Sequence, residues 1–341
     1  METAIQLQPV RRTNTLILPN IPKDKEKATS TPKPKRNRSP FIEANTKEVD
    51  IYHLRDECVV PVFRDNELTI SHPAFIETVY NAANQFFKGE EILEPEIRVS
   101  HVIRSRKPEA IHKPTSQLLD DDITIFYERL AFCFEIPTIY ETINGNRLNL
   151  MIGGVRALNH ENFNSKKGVE KFKVFCGFMN LVCTNLSIST DGYQSEIKVM
   201  STQELFNAIM QLLQQYNIAK HLYEMNSYKD TMLSERQFAQ FLGKSRLYQC
   251  LPPKEKKELP ELLMTDTQIN LVAKAYYNDP NFSVQENSKE ISMWNFHNML
   301  TGANRSSYID NFLDRGLNAT QLTDGINKAL YGDKEYSWFI E

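Results

Sequence analysis

Apolar positions along this chain change their period at about residue 96 and again at about residue 200, and those two changes organise it. Before residue 48 there is no period: KATSTPKPKRNRSP (27–40) has the composition of a segment that buries too little apolar surface to order itself. VDIYHLRDECVVPVFRDNELTISH (49–72) reads as short strands, with Asp65-Asn66 as a turn. SHPAFIETVYNAANQFF (71–87) is helical: Phe75, Ile76, Val79, Tyr80, Ala83, Phe86 and Phe87 share one face, Ser71 can cap it and Pro73 suits its first turn. From residue 96 alternation takes over. EIRVSHVIRS (96–105), ITIFYERLAFCFEIPTIYETI (123–143), NRLNLMIGGVRAL (146–158), KFKVFCGF (171–178) and EIKVM (196–200) predict an antiparallel sheet. Asn144-Gly145 is a favoured two-residue hairpin turn, and Gly153-Gly154 marks a bulge or a close backbone approach.

The remainder is helical. STQELFNAIMQLLQQYNIAKHLYEM (201–225) opens on the capping box Ser201-x-x-Glu204 and carries Leu205, Ile209, Leu212, Leu213 and Tyr216 at helical spacing. Ser234-x-x-Gln237 starts SERQFAQFLG (234–243), which Gly243 is placed to end; Thr265-x-x-Gln268 opens TQINLVAKAYYN (267–278); SMWNFHNMLT (292–301) is amphipathic. Strands followed by helices, without a βαβ alternation, predict an α+β fold: an antiparallel sheet with a leading helix, then a helical C-terminal part. The expected divisions are a disordered basic tail (1–48), a sheet-rich core (49–200), a helical part packed on it (201–330) and a C-terminal tail (331–341).

Charge changes this picture. Residues 1–40 carry a net charge of +6, leaving −9 on the other 301 residues. A basic arm on an acidic body can touch a polyanion, but the body as a whole cannot clamp one. No apolar run reaches the roughly 18 residues of a membrane span, the N-terminus has no apolar leader core, and five irregularly spaced cysteines do not make a disulfide framework. A cytoplasmic protein without a membrane partner is expected.

Recognisable chemistry is sparse. C-x-x-C, H-E-x-x-H, G-x-S-x-G and both phosphate-loop patterns are absent, so no cofactor or metal is expected and enzyme chemistry is disfavoured. Cys176 and Cys183, in FKVFCGFMNLVCTNLSISTDG (172–192), sit among apolar neighbours that raise a thiol pKa, and read as core thiols rather than as metal ligands with His160 or as nucleophiles. Asn185 reads as a structural amide or a ligand-facing one. Asp120-Asp121-Asp122 reads as a polar loop. Two basic segments stand out: Arg98, Arg104, Arg106, Lys107 and Lys113 in 96–114, and Lys166, Lys167, Lys171 and Lys173 in 166–173, joined by Arg36 and Arg38 of the tail. Brought together they form a positive stripe for nucleic acid, with Phe126, Tyr127, Phe132, Phe134, Phe163 and Phe172 as stacking platforms; the alternative is a salt-bridged sheet face with the aromatics inside. MWNFHNMLTGANRSSYIDN (293–311) makes a polar cluster of Trp294, His297, Asn298, Thr301, Arg305 and Asp310, with Asn185 as a further member: a buried hydrogen-bond network or a binding site.

Val182-Cys183-Thr184-Asn185-Leu186 and Trp294-x3-Asn298-x2-Thr301 resemble signature stretches of a wide family of uncharacterised phage- and plasmid-like proteins. More specifically, residues from about 60 to 315 resemble a family of unknown function carried by conjugative and integrative elements of Bacteroidetes. ELTISHPAFIETVYNA, RVSHVIRSRKPEAIHKP, IGGVRALNHENFNSKKGVEKFKVFCGF and TGANRSSYIDN carry that resemblance. Against the wider family, Asn180-Leu181 stands where a basic residue commonly precedes Val-Cys. The resemblance implies a mobile-element context and no activity. The expectation is a non-enzymatic accessory protein that binds or anneals single-stranded DNA, or binds duplex DNA. The alternatives are an anti-defence or regulatory factor that binds a host or element-encoded protein, and an enzyme centred on the polar cluster.

Overall fold

Strands β1 (Lys47–Glu48), β2 (Glu96–Arg106), β3 (Ile123–Ile143), β4 (Asn146–Ala157), β5 (Glu170–Asn180) and β6 (Asn185–Val199) lie side by side in chain order, each antiparallel to the next. They belong to a computed structural model that describes residues 38–59, 69–110, 112–161 and 169–341. Short turns join β3 to β4 and β5 to β6. Asn144 and Gly145 both take positive φ (48° and 77°), as a hairpin turn that follows the strand twist requires, and a four-residue turn at 181–184 joins β5 to β6.

The alternation buries both faces. Leu130, Phe132, Phe134, Leu150, Ile152, Phe172, Val174, Cys176 and Phe178 belong to the core under α2 (His72–Phe86) and α3 (Thr202–Gln215). The intervening Ala131, Cys133, Met151, Val155, Phe175 and Met179 pack with Phe41, Ile42 and the first turns of α9 (Ile309–Ala329). Gly153 and Gly154 serve close approach. A Cβ on Gly154 would lie 2.5 Å from Phe75 Cζ and 2.7 Å from the Lys173 carbonyl oxygen. Gly154→Ala is therefore expected to destabilise by about 1–3 kcal/mol through overpacking, read as a lower urea midpoint at unchanged m-value.

Helices α4 (Ile218–Ser227), α5 (Glu235–Cys250), α6 (Pro253–Lys256), α7 (Asp266–Asn278) and α8 (Met293–Asn304) follow, with β7 (Met232–Ser234) and β8 (Glu290–Ser292) paired as a small second sheet. No helix among the described residues is long and apolar enough to cross a membrane.

Several expectations need correction. Residues 49–59 contain a helix, α1 (Ile51–Asp56), whose N-cap Asp50 accepts from the His53 N–H; Asp65-Asn66 lie outside the described residues. The compact unit begins at Arg38 rather than residue 49, because Phe41 and Ile42 fill the second core. The helical part packs on the sheet within this one unit, α2 on α3 and α9 across the sheet. In the C-terminal segment 331–341, Phe339 and Ile340 are buried. The helix at 201–225 is two helices, broken where Tyr216 turns extended and Asn217 caps α4. Gly243 sits inside α5, not at its end. SISTDG belongs to β6, which starts at Asn185, and α8 is buried nearly all round rather than amphipathic.

Candidate functional site

The turn at 181–184 brings Asn180, Cys183 and Asn185 against α8. Asn298 is the hub: its Oδ1 accepts from Asn180 Nδ2 (3.1 Å), its carbonyl accepts from Asn185 Nδ2 (2.8 Å), and its own Nδ2 donates to the Trp294 carbonyl one turn earlier (2.9 Å). Thr301 donates back to the His297 carbonyl (2.8 Å).

Beside this lies a second chain whose donors and acceptors can be assigned. Thr323 donates to the Ala319 carbonyl, so its hydroxyl accepts from His297 Nδ1 (3.2 Å). His297 is neutral, because burial holds its pKa down at about 3, so its Nε2 must accept from the Ser187 hydroxyl (3.1 Å). Ser187 then accepts from His221 Nε2 (3.2 Å), and His221, held down at about 4 by burial, accepts at Nδ1 from the Tyr216 hydroxyl (2.8 Å). Every hydrogen has one place to go. Ser187 and two histidines suggest a nucleophile with its base, but the cavity among Trp294, Asn185, Asn298, Ser187 and His297 measures about 10 Å³. That is the space of one water molecule. The network is a polar core with no room for a substrate.

Thus Asn185, Trp294, His297, Asn298 and Thr301 converge as a network. Arg305 stands at its rim, donating to the Cys183 carbonyl (2.8 Å) and pairing with Glu43. Asp310 stands apart, 3.6 Å from Arg129 and 3.9 Å from His160. Sequence reasoning missed Asn180, Ser187, Tyr216, His221 and Thr323, which come from separate elements and share no spacing. The thiols are inert: burial pushes Cys176 far up and Cys183 up to about 12. No group of three or more His, Cys, Asp or Glu able to hold a metal occurs among the described residues, Asp120–Asp122 included.

Among the described residues the positive stripe does not assemble. Lys171 and Lys173 lie on β5, separated from the Arg98-bearing β2 by β3 and β4. Lys173 binds Asp314 (2.5 Å) and the Asp310 carbonyl (2.9 Å), Lys171 binds Glu196 (2.9 Å), Arg98 binds Thr46 (2.8 Å), and Arg38 binds Glu135 (2.6 Å). The cations of 100–123 cluster on an arm where β2 and β3 run beyond β4, but Arg104, Arg106, Lys107 and Lys113 there share it with Glu109 and Asp120–Asp122. Arg106 is held by the Lys113 carbonyl (2.6 Å) and Lys113 by Asp122 (2.6 Å). Arg104 is exposed. Phe126, Tyr127, Phe132, Phe134 and Phe172 are buried and cannot stack on bases; Arg36, Phe163, Lys166 and Lys167 lie outside the described residues.

A larger concavity opens between the middle of β6, α4, the second half of α9 and the chain after it. This groove of about 460 Å³ is lined by Asp191, Glu224, Asp324, Asp333 and Glu335, with Lys220 and Lys328 as its cations. Asp324 accepts from the hydroxyl of the buried Tyr228. Burial raises the Asp324 pKa to about 6.

The molecule is thus an α+β protein with a helix-covered antiparallel meander, a closed polar interior and an acidic groove. It belongs to the family described as "Domain of unknown function, B. Theta Gene description (DUF3871)", whose model matches residues 24–340. Nothing matches it among curated proteins or among solved structures.

Proposed function

We propose that this chain is a non-enzymatic binding protein that engages a basic protein partner through the acidic groove. The accompanying context is that of a mobile-element accessory or regulatory factor working in a bacterial cytoplasm. The groove carries this reading: five carboxylates against two lysines surround a space large enough for a partner's side chains. The closed cavity around Ser187 and His297 weighs against an active site there.

A second reading, DNA binding, rests on the β2–β3 arm with its exposed Arg104 and on the +6 of residues 1–40. It ranks lower, because four carboxylates accompany the four cations of the arm.

One experiment separates them. Wild type and the groove variant Asp333→Lys/Glu335→Lys are used for affinity capture from bacterial extract, and for electrophoretic binding to single-stranded and duplex DNA across a salt series. Basic proteins held by wild type and released by the variant are the expected result. DNA binding that falls steeply with salt and is lost in Arg104→Glu/Lys107→Glu, with no protein distinguishing the groove variant, would overturn it in favour of the second reading.

A further inference from the structure

We propose that the group the groove recognises is a primary alkylammonium, the lysine side chain of a partner or a free polyamine, held at Asp324 and Thr320. This rests on the groove being the binding site. Thr320 and Asp324 lie one turn apart on α9, so they face the same side, and both line the groove. Thr320 is 3% exposed, yet its hydroxyl has no hydrogen-bond partner among the described residues. A buried hydroxyl left unpaired costs free energy that a ligand donor recovers. The ring of Tyr336 lies directly over Gly325, where any Cβ would collide with it, and adds an aromatic wall suited to a cation.

The chemistry of the donors narrows the cation. A compact divalent ion needs carboxylates converging on one point, and no such group of three occurs among the described residues. A guanidinium prefers both oxygens of one carboxylate in a fork, but Tyr228 already occupies Oδ1 of Asp324. One carboxylate oxygen and one hydroxyl, as separate acceptors, suit the divergent donors of an ammonium. The titratable groups sharing the groove with Asp324 are Glu224 and Lys220 from α4, Lys328 from α9, Asp333, Glu335 and Tyr336 beyond it and Asp191 from β6, with Tyr228 bonded to Asp324 from beneath. Since Asp324 is neutral below about pH 6, binding is also expected to weaken as pH falls from 7.5 to 5.5.

The test is calorimetry on the full chain with three probes: spermidine, a short Gly/Ser peptide bearing one central Lys, and its Arg twin. Variants are Asp324→Asn, which keeps an acceptor for Tyr228, and the isosteric Thr320→Val, each checked for an unchanged urea midpoint. The expected result is binding of an ammonium probe, weakened about tenfold to a hundredfold by Asp324→Asn and up to about tenfold by Thr320→Val. Binding of the peptide alone identifies the source as a protein lysine, and binding of spermidine alone as a free amine; either supports the proposal. An Arg twin that binds as well as the Lys peptide, or ammonium binding indifferent to Asp324→Asn, overturns it. Failure of all three probes overturns it too. The groove reading survives any of these if Asp333→Lys/Glu335→Lys still releases captured basic proteins, and falls with it if that variant releases none.

Discussion

Arg156→Met is expected to destabilise the protein by about 3–5 kcal/mol, enough to leave much of it unfolded at modest urea concentrations. Arg156 on β4 is wholly buried. It donates to Glu161 Oε1 (2.9 Å), to Glu170 Oε2 (2.6 Å) and to the Ile70 carbonyl, while its guanidinium lies 4.7 Å from the centre of the Phe172 ring. Glu170 in turn accepts from the Ile70 N–H (3.0 Å). The cluster therefore clamps β4 and β5 to the residue just before the Ser71 cap of α2. Removing the cation leaves two carboxylates desolvated beside each other, which costs more than the pair itself contributes. Arg156→Met/Glu161→Gln/Glu170→Gln should recover a large part of the loss, because no charge then remains to be desolvated. A single variant as stable as wild type, or a triple variant worse than the single one, would show that the cluster is solvated.

The parts of this architecture that local chemistry dictates were legible. Alternation located β2 to β5, Asn144-Gly145 gave the hairpin, and Ser71, Ser201 and Ser234 cap their helices through side-chain oxygens. What failed depended on partners distant in sequence. Ser187 and Ser189 look like turn residues because small polar side chains rarely line a core. Here Ser187 lies between two neutral histidines, and Ser189 donates to Asp191 (2.6 Å). The polar positions of α8 suggested a wet face, but Asn298 and His297 find their partners on β5, β6 and α9. Phe41 and Ile42 are two apolar residues at the edge of a basic, proline-rich stretch, too few to outweigh its composition. Arg98, Arg104, Lys171 and Lys173 lie on strands that the alternation located, but only the strand order shows that β2 and β5 are not neighbours. The groove had no signature at all, since its carboxylates come from residues 191, 224, 324, 333 and 335.

The buried histidines give the second large effect, a steep loss of stability below pH 6.5. Burial holds His72 and His297 at about 3 and His221 at about 4 in the fold, against 6.5 when unfolded. Between those values the unfolded chain binds protons that the folded chain refuses, so stability falls as pH falls, by up to about 1.4 kcal/mol per pH unit for each imidazole. Asp324 works in the opposite sense. Its folded pKa of about 6 exceeds 3.8, so the fold takes up a proton first and gains stability on acidification through that window, offsetting roughly one histidine. The exposed Glu196, held down at about 2 by Lys198 and Lys171, adds to the loss only below about pH 4.5. Urea midpoints measured from pH 8 to 4.5 should therefore drop most steeply between 6.5 and 4.5. His297→Gln supplies an amide donor and acceptor in place of the ring, and should flatten that slope while costing some stability at pH 8. A flat wild-type profile over the same range would mean that the buried imidazoles take up protons in the fold, in which case Ser187 could not be locked between two neutral rings.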